Sequence, residues 1–109
     1  MTPYDYRDLD PLIHSRIRLS ILAILASVED AEFTYLRDQV KTTDGNLGAH
    51  LRKLEDAGYV RVSKSFVGRR PITRYQTTGL GRGAFRDYVS RLEWLLHSLP
   101  VDADHREAG

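Results

Sequence analysis

Cysteine is absent from the 109 residues. No disulfide, zinc thiolate or thiol redox centre can therefore form, and a reducing compartment suits the chain. Long apolar runs are also missing. The longest, Ile21 to Ala26, falls far short of the roughly 20 residues that a membrane-spanning helix needs. The stretch from Met1 to Asp10 is acidic and polar, so no secretory leader is expected there. Catalytic signatures are scarce. His14, His50, His97 and His105 are scattered, with no H-x-x-x-H spacing, and neither G-x-G-x-x-G nor a P-loop occurs. Asp8 and Asp10 read as capping residues rather than an acid–base pair. Gly79-Leu80-Gly81-Arg82-Gly83 is rich in glycine. It lacks the preceding buried parallel strand and the Lys-Ser/Thr of a phosphate cradle. No enzymatic activity, cofactor or metal is expected.

What the chain does have is enough apolar content, 41%, for one domain with a small core. Its net charge is +1, but the charge is unevenly spread. From Lys41 to Tyr75 there are eight cations and three anions, a net of +5, and the remainder is −4. A positive segment on a weakly negative body can turn the molecule toward a polyanion; a solvated basic face is the plainer account.

Read in order, residues 1–8 form an arm in which Tyr4 and Tyr6 could meet a partner subunit. A first helix is expected over 9–28, with Asp10 as N-cap and Pro11 at its first position. Its apolar residues cover more than one stripe, which suits a helix that is central, shared with a second subunit, or both. Glu29 to Glu32 reads as an acidic connection. Thr34 is expected to cap a short helix from Tyr35 to Val40, and Lys41-Thr42-Thr43 to form a turn. Thr43 then caps a helix ending at Ala57, with Asp44 favourable to its dipole and Gly58 as a left-handed stop. Leu47, Leu51 and Leu54 fall at i, i+4, i+7 and must face a core. Alternation from Tyr59 to Phe66 signals a strand, and Pro71 opens a return run to Thr77. A last helix, 78–99, capped by Thr78, carries a seam at Gly81, Phe85, Tyr88, Leu92, Leu95 and Leu99. Pro100 stops it, and 101–109 is a polar tail.

The fold class is thus mainly α with a small antiparallel β-hairpin, in the order of a winged helix-turn-helix, within a single domain spanning 1–109. The unit 34–57 would be the helix-turn-helix and 59–77 the wing. In such folds the second helix of the pair lies in the major groove of DNA. Gly45, Gly48 and Ala49 make that helix slim on its outer side, as close approach to bases requires. Asn46 can pair with an adenine edge; Thr42, Thr43 and His50 can reach phosphate or a base edge; Arg52 and Lys53 suit phosphate. Arg69 and Arg70, beside Gly68 at the hairpin tip, suit a narrow minor groove. Each has a plainer account: close helix packing for the glycines, a half-buried structural residue for His50, local capping for Asn46, a soluble turn for the arginines.

The blocks "LDPLIHSRIRLSILAIL", "FTYLRDQVKTTDGNLGAHLRKLEDAGYV" and "FVGRRPITRYQTTGLGRGAF" resemble the small stand-alone winged-helix transcriptional regulators related to the MarR and ArsR families. The resemblance runs from about Leu9 to Leu96. It implies a cytoplasmic, homodimeric regulator of double-stranded DNA, with repression as the default outcome. It would put recognition positions on Thr43, Asp44, Gly45, Asn46, Ala49, His50 and Lys53 and a wing tip on Gly68, Arg69 and Arg70. Dimer contacts would use the first and last helices, here Leu12, Ile13, Ile17, Phe85, Tyr88, Leu92, Leu95 and Leu99. The chain departs from the family where Thr78 is followed by Gly79-Leu80-Gly81 instead of acidic residues. The metal-sensing cysteines of many ArsR-type proteins are missing, and no effector is identified. A pocket between the first and last helices could be lined by Phe85, Tyr88 and Trp94, though core packing explains them as well. A winged-helix module that reads a protein instead of DNA is the alternative function.

Overall fold

The computed structural model describes residues 9–98. Four helices and three strands follow one another as α1 (Arg16–Ala26), β1 (Ala31–Glu32), α2 (Phe33–Val40), α3 (Asp44–Asp56), β2 (Val60–Val67), β3 (Arg70–Thr77) and α4 (Gly79–Ser98). The strands form one antiparallel sheet in the order β1-β3-β2. This is the winged helix-turn-helix plan, with the hairpin extended by a short third strand. Tyr4, Tyr6, Leu99, Pro100 and the tail lie outside the described residues.

The core gathers the apolar stripes of the first three helices. Ile13, Ile21, Leu22, Leu25, Leu36, Leu47, Leu51 and Leu54 are its fully buried side chains. Each contributes about 1.5–3 kcal/mol through burial. Helix α1 packs on α2, α3, α4 and β3 at once, so its broad apolar surface is used largely inside the chain. Val60 and Ala31 bring the base of the sheet onto this core, and Tyr88 brings α4.

Three boundaries differ from the sequence reading. The first helix does not run from Pro11. Asp10 does cap, its Oδ1 accepting from the Leu12 amide and its carbonyl from Ile13 and His14, but only a single turn results. The other carboxylate oxygen, Oδ2, accepts from the Tyr59 hydroxyl at 2.6 Å, which ties this turn to the start of the sheet. The chain then restarts at Ser15, whose hydroxyl accepts from the Arg18 amide. Second, α2 begins at Phe33 with Glu32 as N-cap and no side-chain cap, so Thr34 falls inside the first turn. The reason is β1: Ala31 pairs with Tyr75 and Glu32 with Arg74, so the supposed acidic connection ends pinned to the sheet. Third, β3 starts at Arg70, one residue before Pro71.

Other expectations hold. Thr43 Oγ1 accepts from the Asn46 amide, and Gly58 takes φ +80° after α3. Thr78 Oγ1 accepts from the Gly81 amide at the start of α4. There the glycine has a specific reason: a Cβ on Gly81 would lie 2.0 Å from the Tyr59 carbonyl oxygen. Close crossing with the start of the sheet explains it.

Candidate nucleic-acid interface

Helix α3 is aimed by its leucines and by the turn before it. With Leu47, Leu51 and Leu54 buried, the opposite side of the helix must face outward, and Gly45, Asn46, Ala49, Arg52 and Lys53 are exposed there. The turn from α2 is tight because Lys41 adopts φ +60°, a left-handed conformation that is uncommon without glycine. Arg37 of α2 crosses the turn and donates to Asp44 at 2.9 Å as well as to Asp38. Both contacts raise the Arg37 pKa, the hydrogen bond to Asp44 being the largest single cause. The anion at the helix start is thus matched by a cation from its own chain. Thr43 has its hydroxyl oxygen engaged in the cap, and Thr42 is half-buried in the turn.

The two glycines of α3 do no packing work. A Cβ at either Gly45 or Gly48 would meet nothing within 4 Å. Close helix packing inside the chain is thereby removed as their reason, and the outer face is open to an incoming surface.

His50 is half-buried at the edge of that face. Arg18 of α1 donates from Nη1 to His50 Nδ1 at 2.9 Å, and from Nε to the Leu12 carbonyl. Burial first, then the charges of Arg18 and Lys53, lowers the His50 pKa from its ordinary 6.5. Sequence reasoning missed Arg18, since nothing local in a chain connects residues 32 apart.

The wing is a regular hairpin whose register runs from Val60 opposite Thr77 to Val67 opposite Arg70. Only Gly68 and Arg69 lie outside the ladder. Gly68 has φ +63° and Arg69 does not share the positive φ, the pattern of a type II′ turn. Arg69 and Arg70 are exposed and make no ion pair among the described residues, as is true of Arg52, Lys53 and Lys64. Arg74 differs: it lies 3.6 Å from Asp30 and bonds Ser65. Phe66 and Val67, not singled out from the sequence, are strongly exposed next to these cations, Phe66 at 71%. The alternation that buries Val60 simply continues past the edge of the core.

The residues assigned to a dimer face divide into groups. Ile13 and Tyr88 are buried within the chain, and His14 Nδ1 lies 2.7 Å from the Tyr88 hydroxyl. Leu12, Ile17, Phe85 and Leu92 are partly buried against the core. Leu95 is half-buried, and Trp94 and Leu96 beside it are exposed. A cleft of about 410 Å³ lies between the end of α1 and the start of α4. Arg61 and Arg82 line it, not Phe85, Tyr88 or Trp94. Among the described residues no group of three or more His, Asp or Glu side chains could hold a metal, and no helix is long and apolar enough to cross a membrane.

Comparison with known proteins agrees with this fold. A family model described as a winged helix DNA-binding domain matches residues 17–96. An uncharacterized protein of Methanocaldococcus jannaschii is 42% identical over 78 residues, which is 72% of this chain and 85% of that one. A solved transcriptional regulator homologue of Pyrococcus horikoshii superposes with a TM-score of 0.77 at 28% identity, covering 83% of this chain and 89% of its own. A MarR-family transcriptional regulator of Silicibacter pomeroyi shares the fold, with a TM-score of 0.61 at 20% identity over 94% of this chain and 70% of its own.

Proposed function

The chain belongs to the winged helix DNA-binding domain family, and we propose that it is a sequence-specific transcriptional regulator acting as a cytoplasmic homodimer on duplex DNA. The observation that carries this reading is the outer face of α3, slim, open and cationic, beside a wing whose tip arginines have no ion-pair partner among the described residues.

In this reading α3 enters the major groove, where Asn46 reads an adenine edge and Lys53, Arg52 and Thr42 hold the backbone. The wing follows the backbone, with Arg69 and Arg70 in the minor groove. The dimer would form through α4, where Trp94, Leu95 and Leu96 reach solvent, helped by the half-buried Leu92, Phe85, Leu12 and Ile17. Dimer geometry then sets the half-site spacing. Ile13 and Tyr88, already spent on the chain's own core, would contribute to it indirectly. Repression by covering a promoter is the outcome this reading favours, since a dimer seated across both half-sites occludes the duplex.

Selection of bound sequences from random duplex DNA tests the proposal, followed by gel shifts at two salt concentrations. A two-fold related motif with steep salt dependence is expected. No enrichment and no shift would favour a module that reads a protein. Asn46→Ala should relax preference at one base position by about 1–3 kcal/mol. Leu92→Glu with Leu95→Glu should give monomers in sedimentation, and a surviving dimer would move the interface elsewhere.

A further inference from the structure

Arg18 joins parts of the molecule that lie far apart in the chain. It donates to the Leu12 carbonyl in the turn before α1 and to His50 Nδ1 on α3. A guanidinium has only donors and keeps its proton. His50 Nδ1 must therefore present its lone pair, and the neutral ring carries its hydrogen on Nε2. We propose that Arg18 is a positioning residue for α3: it holds His50 in the Nε2–H form and so presents a hydrogen-bond donor to an acceptor on duplex DNA. The inference rests on α3 being the helix that meets DNA.

The placement supports it. His50 stands one turn after Asn46 and one turn before Lys53, both exposed, so these three form one stripe. The acceptors available along such a stripe are phosphate oxygens and, on the base edges, the N7 of either purine, guanine O6 and thymine O4. Arg18 stands on the central helix, is half-buried, and is held at two points, the Leu12 carbonyl and His50 Nδ1. The charged groups acting on His50 among the described residues are Arg18 from α1 and Lys53 from its own helix, with no carboxylate. Burial and these two cations keep the ring neutral near pH 7, the state in which a single defined donor matters.

Nitrogen-15 spectra of the free protein read the tautomer directly and need no DNA. His50 should be protonated at Nε2 and lone-paired at Nδ1 across neutral pH, and Arg18→Met should let it titrate closer to the ordinary range. Binding to the selected duplex is then compared at about pH 6 and pH 8. Arg18→Met should lose about threefold to tenfold at the higher pH, the scale of one hydrogen bond. It should recover at the lower pH, where the imidazolium donates from both nitrogens. Arg18→Lys, which keeps a donor, should lose less, and adding His50→Gln to Arg18→Met should abolish the pH dependence. An equal loss at both pH values would make Arg18 a purely structural residue and overturn the inference, as would a wild-type ring protonated at Nδ1. If the ring is held as described but wild type binds no duplex, the DNA-binding proposal fails and the Arg18 lock stands.

Discussion

Helices α3 and α4 both carry glycines in their first turns, and Gly81 of α4 is unlike the rest, since Gly79 and Gly83 beside it are as open as those of α3. In α3, Gly45 and Gly48 face open space. In α4, Gly81 is pressed against the Tyr59 carbonyl and the Thr77 hydroxyl, so no side chain fits. Each glycine costs its helix about 1 kcal/mol relative to alanine. At Gly81 that cost is offset inside the chain, by letting the helix start against the base of the sheet. In α3 nothing within the chain offsets it, and a surface from outside is what the missing side chains leave room for.

The contrast breaks first at Gly81. Gly81→Ala should lower stability by about 2–3 kcal/mol in urea unfolding, because backbone rather than a flexible side-chain end occupies the space. A variant as stable as wild type would mean that the seam between α4 and the sheet is loose. Next in size is the wing. Arg69→Ala with Arg70→Ala should reduce the log–log salt slope of DNA binding by about 2, one step for each cation removed from the DNA surface. An unchanged slope would leave α3 as the whole contact surface. The seam itself can be probed at Tyr59. Its phenol is pushed up to about 12, chiefly by donating to Asp10 and then by burial. A raised pKa gives stability that is intact below the ordinary value of 10.0 and lost as the pH rises through 12. Tyr59→Phe should cost about 1 kcal/mol at neutral pH and shrink the loss of stability in that alkaline window. An unaltered alkaline profile would mean that the Asp10 contact contributes nothing. The smallest effect is expected at Gly48. Gly48→Ala should raise stability by about 0.8–1 kcal/mol while weakening DNA binding. If both properties improved together, the outer face of α3 would not need to be slim.

Much of the fold was legible because its signals are local. The leucine stripe of α3, its Thr43 cap, the Gly58 stop and the alternation of β2 depend on neighbours a few residues away. Where the reading failed, a distant group had won. Asp10 caps one turn only and its second oxygen is held by Tyr59, and Thr34 falls past the cap because Glu32, paired with Arg74 in the sheet, takes that position. Ile13 and Tyr88, which the family resemblance placed on a dimer face, are buried in the chain's own core. Periodicity shows that a face is covered, not by what.

By itself the amino-acid sequence determined the type of every element except β1, the lean outer side of α3 and the concentration of positive charge from Lys41 to Tyr75. Period, capping chemistry and composition act over short distances, so the chain carries them without folding. Only the tertiary structure decided which glycines are filled and which stand open, and which apolar residues remain for a partner. It also decided that a guanidinium from α1 sets the hydrogen on the imidazole of α3. Those outcomes depend on groups meeting across long stretches of chain, and no local pattern encodes such a meeting.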